Sequence, residues 1–139
     1  MTKPRVLLAD DSSRILTEVS QLLSTQFEVV DCVVNGEQAI EAALRLHPDV
    51  VVLDVLMPAL DGLQAARRLR KLGFQAKIIF LTGLKDPGFI SAAFDLRGNG
   101  YVLKSRLCPD LPLAILTALD GGKFCSCEPE RDPKKNDIS

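Results

Sequence analysis

The sequence has no apolar run approaching the roughly 18 to 20 residues that a membrane span requires, and its start, Met1-Thr2-Lys3-Pro4-Arg5, passes at once into the strand-like Val6-Leu7-Leu8. A cytoplasmic protein without a secretion signal or membrane contact is expected. Histidine is scarce, with His47 alone. Cys32, Cys108, Cys125 and Cys127 form no C-x-x-C pair. In a chain with ample core a disulfide staple is unnecessary, and one remote histidine cannot complete a metal site around Cys125-Ser126-Cys127. Neither sign of charge is in excess: 17 Lys+Arg stand against 18 Asp+Glu, for a net charge of −1. Duplex binding rests on clustered cations that neutralise phosphates, so no nucleic-acid contact is expected from this segment.

What the 139 residues do contain is core, since 47% of them are hydrophobic, enough for one domain. Arg5 to Ala9 reads as a buried strand. Ser12 or Ser13 can cap a helix carrying Ile15, Leu16, Val19, Leu22 and Leu23 at helical spacing. Phe27 to Val30 reads as a second strand. Asn35-Gly36 opens a helix with Ala39, Ile40, Ala43 and Leu44 on one face, ended by His47-Pro48 because proline disfavours helical geometry in the residue before it. His47 is then a helix-end residue placed to interact with the dipole. The runs Val50-Val51-Val52-Leu53 and Ile78-Ile79-Phe80-Leu81 suit strands covered on both faces, as in a parallel sheet wrapped by helices.

Leu63 to Leu72 makes a helix stopped by Gly73, Pro87 to Leu96 another, Tyr101 to Leu103 a fifth strand, and Asp110 to Leu119 a last helix stopped by Gly121-Gly122. Five strands alternating with five helices predict a doubly wound α/β fold over residues 1–124. Residues 125–139, charged and aperiodic, read as a tail or the start of a linker.

In an open α/β sheet ligands bind at the carboxyl ends of the strands. Those ends carry Asp10-Asp11, Asp54, Thr82 and Lys104. Alone, Asp10-Asp11 would read as a helix cap. Beside Asp54 and Lys104 the reading changes, because two carboxylates about 4 Å apart repel by roughly 4 kcal/mol at an effective dielectric near 20. A hard divalent ion such as Mg²⁺ offsets that repulsion and takes carboxylate and phosphate oxygens, while Lys104 adds a second cation at the same rim. The set describes phosphoryl chemistry, with Asp54 as nucleophile, the cations neutralising the transferred group and Thr82 donating to its oxygens.

Leu8-Ala9-Asp10-Asp11, then Val52-Leu53-Asp54-Val55-Leu56-Met57-Pro58 with Asp61-Gly62, then Phe80-Leu81-Thr82-Gly83, then Gly100-Tyr101-Val102-Leu103-Lys104 resemble, in order and spacing, the receiver domain of bacterial two-component response regulators. The resemblance runs from Arg5 to Leu119. It implies a flavodoxin-like parallel sheet of strand order 2-1-3-4-5, phosphorylated on Asp54 by a phosphohistidine of a sensor histidine kinase. It implies Mg²⁺ held by Asp11, Asp54 and the backbone carbonyl of Leu56, with Asp10 acting through a metal-bound water. Thr82 and Lys104 would grip the phosphoryl group. Tyr101 would turn inward as Thr82 moves and so reshape the surface of helix 4, strand 5 and helix 5, and a homodimer through helices 4 and 5 is expected on phosphorylation. Hydrolysis of the acyl phosphate would return the domain to rest, making it a switch with autophosphatase activity rather than a turnover enzyme.

Several positions depart from the family pattern. Ser105 follows Lys104 where many receivers have proline, so a cis bond there is not implied, since non-proline cis forms cost about 3 kcal/mol. Gly83 replaces the usual alanine, which should open the phosphoryl pocket, and Arg97-Gly98 stands where Gly-Ala is typical. Leu56 and Leu84 flank the approach path of hydrolytic water and are expected to slow dephosphorylation by failing to orient it. An Asp-nucleophile phosphatase is disfavoured, because such enzymes place a second Asp as general acid where Leu56 stands. The segment Lys104-Ser105-Arg106-Leu107 through Gly121-Gly122-Lys123-Phe124 resembles receivers of the nitrate-response and quorum-regulator class, which precede a helix-turn-helix DNA-binding domain. Transcription control is therefore the expected output, with a free-standing receiver that binds a protein partner, or a phosphorylation-silent scaffold, as alternatives.

Overall fold

The computed structural model describes residues 2–126. Six strands, β1 (Arg5–Ala9), β2 (Glu28–Val33), β3 (Val50–Asp54), β4 (Lys77–Thr82), β5 (Gly100–Leu103) and β6 (Phe124–Cys125), form one sheet. The order is β2-β1-β3-β4-β5-β6, parallel throughout. The helices are α1 (Ser13–Leu23), α2 (Gly36–Leu46), α3 (Gly62–Lys71), α4 (Pro87–Asp95) and α5 (Leu107–Leu119), the last preceded by a 3-10 turn at Lys104–Arg106.

Strand alternation splits the core into two layers. Leu7, Ala9, Val51, Leu53, Ile78, Phe80 and Tyr101 face α2, α3 and α4, where Ala39, Ala43, Ala66, Leu69 and Ala93 receive them. Val6, Leu8, Val50, Val52, Ile79, Leu81 and Val102 face α1 and α5, against Ile15, Val19, Leu23, Leu111 and Ile115. At about 1.5 to 3 kcal/mol for each large apolar side chain taken fully out of water, these two layers are what hold the strand ends in register. Side-chain caps start α1 to α4, each worth about 1 kcal/mol. Ser12, not Ser13, accepts from Ile15 N at α1, Asn35 from Gln38 N at α2, Asp61 from Gln64 N at α3, and Asp86 from Gly88 N and Phe89 N at α4.

The strand count is the main correction to the expected fold: β6 extends the five-stranded sheet. Cys125, expected to begin the tail, is the second residue of that strand, while residues 127–139 lie outside the described residues. β2 runs to Val33 rather than Val30, because as an edge strand it tolerates the polar Asp31 and exposed Cys32 that hid it. α5 begins at Leu107, with a break at Cys108, whose φ of −116° and ψ of 122° are extended. Among the described residues the cis peptide bond is Cys108–Pro109, not Lys104–Ser105.

Arg97 does set the end of α4 unusually: its φ of 60° is left-handed, where a non-glycine residue costs roughly 1 kcal/mol. At the amino-terminal side of the sheet Arg70 donates to the carbonyls of Phe74, Ala76, Leu96 and Arg97, bracing the ends of α3 and α4 against each other.

Candidate functional site

Asp10 and Asp11 follow directly on β1, Asp54 is the last residue of β3, Thr82 the last of β4, and Lys104 the first after β5. Because the strands are parallel, all five stand on one rim. Asp10 is 2% exposed, Asp54 4% and Thr82 0%, whereas Asp11 is exposed. Carboxylate oxygens of Asp10, Asp11 and Asp54 lie within 4.8 Å of one another.

Lys104 crosses from β5 to meet them. Its Nζ lies 2.8 Å from Asp10 Oδ2 and 3.1 Å from Asp54 Oδ2. Asp10 Oδ1 accepts from Ser12 N at 2.8 Å, and Asp54 Oδ1 accepts from Leu56 N at 3.2 Å. Asp10 Oδ2 is buried and pairs with Lys104 by charge without a directed hydrogen bond; at 2.8 Å the Coulomb attraction dominates whatever the angle.

Burial, and then the neighbouring Asp10 charge, push the Asp54 carboxyl up from 3.8 to about 6, against the opposing pull of Lys104 and the Leu56 N–H. Burial disfavours the Lys104 ammonium too, but Asp10 and Asp54 outweigh it and raise its pKa above the ordinary lysine value.

One ammonium thus pairs with two carboxylates of a cluster of three, and one of the buried oxygens has capacity to spare. A hard divalent cation with oxygen ligands matches that donor set, whereas the soft or imidazole ligands that favour zinc are missing from it.

Thr82 Oγ1 accepts from Leu84 N at 3.1 Å. Tyr101 is fully buried and its hydroxyl donates to the carbonyl of Leu84 at 2.9 Å. The ring expected to turn inward is therefore already inward in this structure, tied to the β4–α4 loop that also holds Thr82. Leu56 is 52% exposed beside Asp54, and Leu84 is half-buried. Gly83 is exposed and has nothing within 4 Å of where a side chain would begin.

The supporting roles of three residues emerge only from the structure. Gly62 belongs to the Asp61-Gly62 pair, but its purpose shows only in space: a Cβ there would overlap the Asp54 carbonyl, and Gly62 N donates to Val55 O at 2.9 Å. Asp110, 5% exposed, accepts from Arg106 Nε at 2.8 Å and fixes the start of α5 behind Lys104; its i, i+4 spacing was the available signal. Ser126 binds the backbone of β5, and nothing in the sequence marks it.

Among the described residues no helix is long and apolar enough to cross a membrane. The family model of the response regulator receiver domain matches residues 6–115. An uncharacterised transcriptional regulatory protein of Bacillus subtilis, YvfU, is 35% identical over 89% of this chain and 63% of its own length. The chemotaxis protein CheY of Halobacterium salinarum is 30% identical over 83% of this chain and 96% of its own. Among solved structures, a LuxR-family two-component response regulator of an Aurantimonas species superposes with a TM-score of 0.87 at 25% identity, covering 99% of this chain and 100% of that one. The isolated receiver domain of Salmonella RcsB, solved with the phosphomimetic beryllofluoride, gives 0.82 at 28% identity over 96% and 98% of the two chains. The chain spans less than two thirds of the length of the Bacillus regulators it matches.

Proposed function

The chain belongs to the response regulator receiver family, and from that premise we propose that Asp54 accepts a phosphoryl group from a phosphohistidine of a sensor histidine kinase. The observation that carries this is the buried Asp54 carboxylate, 3.1 Å from the Lys104 ammonium and clustered with Asp10 and Asp11. An Asp54 oxygen attacks phosphorus, the P–N bond to the kinase imidazole breaks, and the histidine leaves with its electron pair. Hydrolysis reverses the modification: water attacks phosphorus and the carboxylate is regenerated.

Asp54 is suited to this because burial and Asp10 raise its basicity, yet at neutral pH it is still mostly ionised and nucleophilic. Lys104, free to move from carboxylate to phosphoryl oxygen, neutralises the charge that transfer brings to the rim. Thr82 turns its hydroxyl from the Leu84 amide to the phosphoryl group. Asp11, Asp54 and the Leu56 carbonyl would hold Mg²⁺, with Asp10 behind it, and that ion supplies charge neutralisation of the transferred group. Tyr101, linked to Leu84, carries the change at Thr82 into the surface of α4, β5 and α5.

The output we assign is control of transcription, the role for which the Bacillus relatives are named, with association through α4 and α5 in the phosphorylated state. A second reading, a receiver acting alone on a protein partner, draws on the Halobacterium relative, nearly all of which this chain covers. Fluorine NMR of beryllofluoride with Mg²⁺ tests the site. A bound species is expected in the wild type and lost in Asp54→Ala; no bound species in the wild type overturns the assignment.

A further inference from the structure

Between β3 and α3 the chain runs through a loop whose ends meet, since Gly62 N donates to Val55 O at 2.9 Å. Val55, Met57 and Leu60 are buried, while Leu56, Pro58 and Ala59 stay exposed. Within the loop Leu60 N donates to Pro58 O at 2.8 Å, two residues back, and Ala59 between them has a φ of 67°. That short bond with a positive φ marks the rare, strained form of γ-turn. A non-glycine residue keeps such a backbone only where its surroundings leave it no other choice.

The constraint comes from α2. Gly36, the first residue of that helix, donates its N–H to Leu60 O at 3.0 Å. A Cβ at Gly36 would overlap the Leu60 carbonyl, so the helix end approaches the loop this closely only because it is glycine. Both residues are buried, which shields the bond from water. The helix end is itself fixed: the Asn35 side chain accepts from Gln38 N, and Ala39, Ala42 and Ala43 seat α2 in the core.

Leu56 stands in the same loop, two residues beyond Asp54, and its N–H donates to Asp54 Oδ1. Four residues separate it from Leu60, and Met57, between them, is anchored in the core. A displacement of Leu60 therefore has little chain in which to dissipate before it reaches Leu56.

We propose that Gly36 is a positioning residue for the divalent ion: through Leu60 and the turn at Ala59, the amino end of α2 holds the loop in the shape that presents the Leu56 carbonyl beside Asp10, Asp11 and Asp54. This rests on the reading of those acids and that carbonyl as the ion's ligands. The coupling is reciprocal, as linkage requires, so whatever the clamp adds to ion affinity the bound ion adds to the clamp.

The test uses the whole chain and Mg²⁺ alone. In calorimetric titration Gly36→Ala is expected to bind the ion about ten-fold more weakly than the wild type, within the range general for groups one step removed from a metal ligand. Adding Ala59→Gly should recover most of that loss, because glycine absorbs the displacement of Leu60 at the turn and leaves Leu56 in place. In the wild type, saturating Mg²⁺ should slow amide exchange at Gly36 by about the same ten-fold and leave His47, at the other end of α2, unchanged. A folded Gly36→Ala with wild-type affinity overturns the proposal, as does a folded double variant that recovers nothing, since Gly36 then acts through the packing of α2 alone. Should Gly36→Ala fail to fold, the wild type decides: Mg²⁺ binding with no change in Gly36 exchange overturns the clamp and leaves the ion site standing. A wild type that takes up no Mg²⁺ removes the ion site itself, and the clamp with it.

Discussion

The ammonium of Lys104 lies 3.1 Å from Asp54 Oδ2, fifty residues away in sequence and two strands away in the sheet. The same atom lies 2.8 Å from Asp10 Oδ2. A single cation therefore holds together two buried carboxylates whose mutual repulsion would otherwise splay the rim, and in the proposed transfer it is the group that yields to the phosphoryl oxygens.

That balance makes stability depend on pH with a defined sign. The folded pKa of Asp54, about 6, lies above its ordinary 3.8, so the native state binds the proton more tightly than the unfolded chain. Over this group the wild type loses stability as pH rises from about 4 through 6 to about 7, and no further change follows above that window. Asp54→Asn abolishes the term. In chelator, denaturant melts should show the variant gaining roughly 2 to 3 kcal/mol on the wild type between pH 4 and pH 7. A difference constant across that range contradicts the assignment of the raised pKa to Asp54.

Gly62→Ala places a methyl group against the carbonyl of Asp54 itself. Backbone cannot give way as a flexible side chain does, so destabilisation of about 3 kcal/mol is expected from urea unfolding. Any variant protein that remains folded should load phosphoryl groups poorly, because the end of β3 has shifted. A neutral substitution would show that the α3 amino end is free to move away from the site.

Tyr101→Phe keeps the ring in its buried place and deletes the bond to the Leu84 carbonyl. The cost in stability should be about 1 kcal/mol. More telling is hydrogen exchange in the loop from Thr82 to Asp86, which should accelerate while exchange in β3 stays unchanged. Uniform acceleration would mean that the hydroxyl supports the core rather than the loop.

How much of this was legible beforehand follows from how local each signal is. β3 and β4 are uniformly apolar because both faces are covered, and their ends pointed straight to Asp54 and Thr82. Parallel strands then bring Asp10, Asp11 and Lys104 to the same rim by topology alone. β2 was read short because an edge strand with Asp31 and Cys32 shows no run. β6 could not be read: its residues carry no period over a length of two, and it exists only because β5 offers an edge beside it. The inward position of Tyr101 was also out of reach, since a rotamer depends on where the Leu84 carbonyl happens to lie.

Leu56, 52% exposed beside the acceptor, offers water no hydrogen bond. Leu56→Asn supplies an amide that can orient an attacking water, and the phosphoryl lifetime should shorten several-fold, within the range general for positioning groups. Radiolabel decay in the presence of Mg²⁺ measures it. An unchanged lifetime removes Leu56 from the account of hydrolysis.

The central claim is that Asp54 is the acceptor, and the most direct measurement is intact and peptide-resolved mass spectrometry after incubation with acetyl phosphate and Mg²⁺. One phosphoryl group per chain, on the peptide containing Asp54, suppressed by chelator and missing in Asp54→Ala, is the predicted result. A wild-type chain that gains no phosphoryl group, or gains it equally in Asp54→Ala, would contradict the account.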